Sequence, residues 1–152
     1  MKFNIFEALR KDHDRQRALL KTVLDTNGDS SLRESSFQSL KIQLTEHAKF
    51  EERNFYKPLI DFDLTQVKSR HSISEHKDID DLIHALDETS KSSSAWLKKA
   101  KELEHKVLHH LEEEEREVFQ LAGRVLTENQ KIDLAKIYEN NIKETKARPN
   151  DL

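Results

Sequence analysis

Residues 37–52 read FQSLKIQLTEHAKFEE and residues 100–115 read AKELEHKVLHHLEEEE, and one helical pattern runs through both. Phe37, Leu40, Leu44, His47 and Glu51 are spaced by alternating steps of three and four, as are Ala100, Leu103, Val107, His110 and Glu114. Such spacing puts each set of five on a single stripe of an α-helix. Each stripe begins apolar and ends in a histidine and a glutamate four residues apart, so both polar groups are aimed at the core.

Outward from these stretches the chain reads as two helical hairpins. Phe6, Leu9, Leu20 and Val23 form the first apolar face, and loop-like residues Asn27 to Ser31 separate it from the second. Ile73, Ile79, Ile83 and Leu86 form the third, and the serine-rich segment Thr89 to Ser94 leads to the fourth, which includes Trp96, Val118 and Leu121. Pro58 is expected to end or kink the second helix, with the segment to about Thr65 crossing the bundle. Thr127-Glu128-Asn129-Gln130 has the spacing of a capping box and predicts a short fifth helix to about Asn141, with Ile132, Leu134, Ile137 and Tyr138 as its apolar face. The predicted fold is all-α, an up-down four-helix bundle of two repeated hairpins with a short C-terminal helix. Residues 1–143 are expected to form one domain and residues 144–152 a flexible tail.

Composition agrees with this reading and narrows the function. Charged residues make up 36% and hydrophobic residues 35%, with only two Gly and two Pro, which suits long amphipathic helices. The net charge of -3, with acids and bases interspersed, gives no basic stripe for a phosphate backbone, so nucleic acid is not an expected partner. No apolar run is long enough to span a bilayer, and Met1 to Leu9 carries charges, so no membrane partner is expected and the location is expected to be cytoplasmic. The absence of cysteine excludes thiolate metal sites and thiol catalysis within this chain, while eight histidines need an explanation.

The two hairpins repeat at a fixed offset. His13, His47 and Glu51 recur 63 residues on as His76, His110 and Glu114, and Asp12 recurs as Glu75. Heptad bias alone can align apolar positions at this offset, so the coincident polar residues carry the information. All six point inward by pattern, and burying four imidazoles and two carboxylates without partners is very costly. A pair of cations offsets that cost directly. Imidazole with carboxylate suits iron, manganese or zinc. Two carboxylates among four histidines favour a bridged pair, with His13 and His47 on one ion, His76 and His110 on the other, and Glu51 and Glu114 between them. Six protein ligands leave room for an oxo or hydroxo bridge and for an open position, where O2, NO or peroxide would bind as the small-molecule partner.

Asp12-His13-Asp14, His47 to Glu52, Glu75-His76 and His110 to Glu115 together resemble the hemerythrin-like HHE cation-binding family. The resemblance implies a non-haem di-iron centre holding two iron ions (Fe2+/Fe3+). It departs from the oxygen-carrying members at two places. Those carry His-x-x-x-His on the third helix, where Ser72 stands here four residues before His76, and an Asp five residues after the last histidine, where Glu114 follows His110 by four. The ligand set is more similar to the iron-sensing and iron-centre-repair branches. It implies a protein that binds or senses O2, NO or peroxide or handles iron under stress, or else an enzyme that turns over peroxide or nitric oxide or repairs iron centres. A structural bundle with zinc or no metal is the remaining alternative, and the oligomeric state is left open.

The other polar residues are expected outside the centre. His71, five residues before His76, points away on a regular helix and could reach the site only through a local distortion. His84, His105 and His109 are expected to face solvent. Glu52, Glu112, Glu113 and Glu115 read as a solvated face, Asp80 as either a partner of His76 or a surface charge, and Tyr56 and Tyr138 as helix anchors.

Overall fold

The computed structural model describes residues 2–146, and among these the chain is helical throughout, without strands. Helix α1 spans Ile5–Leu24 and is capped by Asn4, whose side chain accepts from the Glu7 amide. Ser30 caps α2, Ser31–Glu51, in the same way through the Arg33 amide. Between them Gly28 adopts φ of 56°, a left-handed turn conformation that glycine takes without strain. Helix α3 spans Asp63–Asp87, and α4, Ser94–Glu113, is capped by Ser93.

The second and fourth helices do not stop at their glutamates. Each widens into a single π turn, Glu52–Tyr56 and Glu114–Val118, and then resumes as Lys57–Ile60 and Phe119–Val125. The amides of Lys57 and Phe119 reach back five residues, to the carbonyls of Glu52 and Glu114. Pro58 therefore falls inside a continuing helix, beyond a turn that has already shifted the hydrogen-bond register. The expected crossing segment shrinks to the corner at Asp61 and Phe62, held by Thr65 Oγ1 donating to the Leu59 carbonyl at 2.6 Å.

Helix α5, Glu128–Lys146, starts with the predicted capping box: the Thr127 amide donates to Gln130 Oε1 and the Gln130 amide to Thr127 Oγ1. It is longer than expected and runs past residue 143, while the rest of the expected tail, residues 147–152, lies outside the described residues. Its buried face matches the expected one at Tyr138 and, in part, at Leu134, and departs from it at Ile137. Ala135 and Tyr138 are buried while Ile137 is exposed, because α5 rests against α1 and α2 through small and aromatic contacts.

Helices α1 and α2 pack as one hairpin and α3 and α4 as the other, with α1 against α4 closing the bundle. The apolar core is in two parts. Leu20, Phe37, Leu40, Ile83, Leu86, Trp96 and Leu103 fill the end near the hairpin loops. Ile5, Leu9, Phe55, Leu59, Val118, Phe119 and Tyr138 fill the other, under α5. Between them lies a band of buried polar residues.

Buried Arg33 ties the loop end together. Its guanidinium donates to the Thr26 carbonyl and the Lys91 carbonyl, each at 2.6 Å, and lies 4.7 Å from the Trp96 ring centre. One side chain thus joins the two hairpin loops, and its planar fork supplies donors that the short loops lack. Arg33→Ala is expected to lower unfolding free energy by about 2–4 kcal/mol, since it strands buried carbonyls and opens a void. A urea melt followed by circular dichroism checks this, and a loss below about 0.5 kcal/mol would show the contact to be incidental.

Candidate metal centre

At the centre of the buried polar band stand the six residues singled out by the repeat. His13, His47, Glu51, His76, His110 and Glu114 are all buried, none more than 8% exposed. His13 comes from α1, His47 and Glu51 from α2, His76 from α3, and His110 and Glu114 from α4 and its π turn. Their ligand-type atoms converge in two overlapping groups. One is His13, His47, Glu51 and Glu114, the other His76, His110, Glu51 and Glu114, so both glutamates belong to both.

Each carboxylate presents one oxygen to each half. Glu51 Oε2 lies 3.3 Å from His47 Nε2, while its Oε1 lies 3.0 Å from His76 Nε2. Glu114 Oε1 lies 3.0 Å from His13 Nε2, and its Oε2 lies 3.6 Å from His110 Nε2. The imidazole pairs match, with ring centres 5.1 Å apart at 70° for His13 and His47 and 4.9 Å apart at 68° for His76 and His110. Nε2 of all four histidines, both oxygens of Glu51 and Oε1 of Glu114 are buried without a hydrogen-bond partner. The atoms face common points instead of one another, and a donor set of this kind fits cations.

The repeat extends to the outer face of each imidazole. His47 Nδ1 meets Asp12 at 3.3 Å, and His110 Nδ1 meets Glu75 at 2.9 Å. His76 Nδ1 meets Glu52 at 2.8 Å, and His13 Nδ1 lies 3.7 Å from Glu115. At His47, His76 and His110 a carboxylate accepting at Nδ1 keeps the proton there and turns the Nε2 lone pair inward, whereas His13 Nδ1 has no hydrogen-bond partner and meets Glu115 only at longer range. Glu52 and Glu115, expected on a solvated face, are therefore part of the site. Their signal was the offset itself, since Glu52 and Glu115 are also 63 residues apart. Glu113 sits on the flank against His71, and Glu112 is exposed. Asp80 pairs with exposed His84 and is a surface charge.

Tyrosines supply contacts that sequence reasoning left out. Tyr56 donates to Glu114, and Tyr138 of α5 donates to Asp12 while its oxygen lies 2.7 Å from His47 Nδ1. Neither has an equivalent across the repeat. The position matching Tyr56 is Phe119, which stacks on His13 with ring centres 6.0 Å apart and donates nothing. The two halves thus share a ligand pattern but differ in surroundings. His71 stays on a regular turn of α3 with its side chain 53% exposed, outside the buried band, and His84 and His109 are exposed as expected.

A cavity of about 370 Å³ opens between α2 and α3 beside exposed Lys49 and Lys77 and extends inward past Leu44 and Ile79 to His47, His76 and His110.

A family profile described as the hemerythrin HHE cation-binding domain matches residues 4–122. The chain belongs to the hemerythrin HHE cation-binding family. The fold agrees with it: the crystal structure of a hemerythrin HHE cation-binding domain-containing protein from Mycobacterium kansasii superposes with a TM-score of 0.84 at 20% identity, covering 93% of this chain and 86% of that one. No curated protein matches the chain at the sequence level. No helix among the described residues is long and apolar enough to cross a membrane.

Electrostatics in this HHE site favour protons wherever cations are lacking. Burial pulls the His47 and His76 imidazoles down, but the carboxylates around them outweigh it and hold them at about 10 and about 9. Against burial, His13 is raised in the same way by Glu114 and Glu115, and Glu51 is held well below its ordinary value by His47 and His76. A raised imidazole stabilises the fold fully below its ordinary value of 6.5, and that contribution is lost as pH rises through the folded value. The metal-free chain should therefore lose about 5 °C or more of Tm between pH 6.5 and pH 10. Thermal melts in chelator test this, and a Tm that holds or rises over that range would contradict it.

Proposed function

We propose that this HHE domain is a non-haem di-iron protein that binds or senses O2, NO or peroxide, with His13 and His47 holding one iron, His76 and His110 the other, and Glu51 and Glu114 spanning both. The observation that carries this reading is the convergence of orphaned Nε2 and carboxylate atoms in two groups that share both glutamates. Bound iron would supply a reversible Fe2+/Fe3+ couple and an attachment point for a small ligand.

The chain's own residues do the rest. Asp12, Glu52 and Glu75 orient the His47, His76 and His110 imidazoles, Phe119 stacks on His13, and Tyr138 locks the Asp12 and His47 pair from α5. Leu44, Ile79 and Ile83 give the cavity an apolar inner wall, with Lys49, Glu52, Lys77 and Asp80 also lining it, and its size suits a small molecule such as O2, NO or peroxide. Binding or sensing is favoured over turnover, because the hydroxyls of Tyr56 and Tyr138, which stand against the ligand set, already donate to carboxylates.

Protein produced with adequate iron is expected to carry about two iron ions per chain and to show visible absorption that changes on exposure to peroxide or nitric oxide. Elemental analysis and an absorption spectrum measure this. One ion per chain, or zinc alone under iron-replete conditions, would sink the di-iron reading. Glu51→Ala or Glu114→Ala should empty both positions, whereas His13→Ala or His76→Ala should cost mainly one ion. His84→Ala and His105→Ala should keep full iron.

Tyr138→Phe should weaken iron retention about 10-fold while the fold survives, because it frees the Asp12 and His47 pair without removing a ligand. Competition with a chelator reads this out, and retention equal to the parent chain would make Tyr138 a packing residue only.

A further inference from the structure

Outside the buried centre, on the face where α3 meets α4, His71, Glu75 and Glu113 bring ligand-type atoms together a second time. His71 Nε2 lies 3.5 Å from Glu75 Oε2 and 3.4 Å from Glu113 Oε1. None of these contacts has hydrogen-bond geometry. Atoms bound about 2.1 Å from one shared cation lie about 3.0–3.5 Å apart, so the spacing is that of ligands around an ion.

Two further observations separate this cluster from ordinary surface charge. Glu75 is 4% exposed, and its Oε1 accepts from His110 at 2.9 Å, which leaves Oε2 aimed at His71 with no hydrogen bond of its own. Moreover, neither Glu75 nor Glu113 has a lysine or arginine within ion-pair distance among the described residues, Glu113 meeting only exposed His109 with its other oxygen at 3.3 Å, whereas nearby Asp78, Glu112 and Glu117 are paired with Lys106, Arg116 and Lys68. Two carboxylates and one imidazole carry a net charge near -2, which one divalent cation neutralises. The exposed side of His71 leaves room for water to complete the coordination.

We propose that His71, Glu75 and Glu113 form a third, surface cation site that takes a first-row divalent ion such as Zn2+ or Fe2+ more weakly than the buried centre does. A mixed imidazole and carboxylate set selects such ions over Mg2+ or Ca2+, which prefer oxygen alone. Glu75 then touches both sites, one oxygen on His110 and the other on the surface ion.

The test is equilibrium dialysis of the iron-loaded protein against micromolar Zn2+, with iron and zinc counted separately. The parent chain should take up about one Zn2+ per chain beyond its iron, and the double variant His71→Ala/Glu113→Ala should lose that uptake, its Zn2+ affinity falling about 10-fold or more, with iron content unchanged. Glu112→Ala, a neighbouring exposed carboxylate, should bind Zn2+ like the parent. Equal Zn2+ uptake by parent and double variant, or none by the parent, would overturn the site. A protein lacking two iron ions but keeping the zinc difference between parent and variant would refute the di-iron reading and leave the surface site standing.

Discussion

Six buried polar side chains divide the core of this bundle, and the fold is arranged around the need to satisfy them. Uncompensated carboxylates and imidazoles at this depth would each cost several kcal/mol. The protein meets the requirement in layers. The inner atoms face common points suited to cations, and the outer nitrogen of every imidazole meets a carboxylate, two of them reaching across from the opposite hairpin. The polar centre thus joins all four helices.

The π turns belong to the same arrangement. One begins directly after Glu51 and the other with Glu114 itself, the glutamates shared by the two halves, and both lie where an ordinary helix would continue its regular rotation. Widening the helix there redirects the residues beyond it, so that Tyr56 reaches Glu114 and Phe119 stacks on His13. The 63-residue repeat carries the common pattern of histidine and glutamate, while Tyr56, Phe119 and Tyr138 make the halves unequal. Two chemically similar positions in unlike surroundings need not share affinity or potential, because polarity and hydrogen bonding around a site tune both.

Helix α5 lies outside the repeat yet touches the site. Through Tyr138 it reaches Asp12 and His47, so the C-terminal segment and the first hairpin share one hydrogen-bond network. Arg33 plays the corresponding structural part at the far end, where it joins the two hairpin loops. Neither role follows from helical periodicity, since each depends on which elements become neighbours.

The sequence by itself determined the helical class, the hairpin repeat and the inward direction of His13, His47, Glu51, His76, His110 and Glu114. These are local properties: residues three and four apart share a face whatever lies opposite, and an offset of 63 preserves that face. Only the tertiary structure decided which carboxylate meets which imidazole. Glu52 and Glu115 read as surface residues because they sit one position past the core stripe, and they became part of the site because the opposite hairpin brings a histidine to them. Likewise the buried face of α5 keeps the expected Tyr138 but takes Ala135 in place of Ile137 through its docking on α1 and α2. A residue's pattern states which side of its own helix it occupies, but what stands against that side is set by packing between segments distant in the chain.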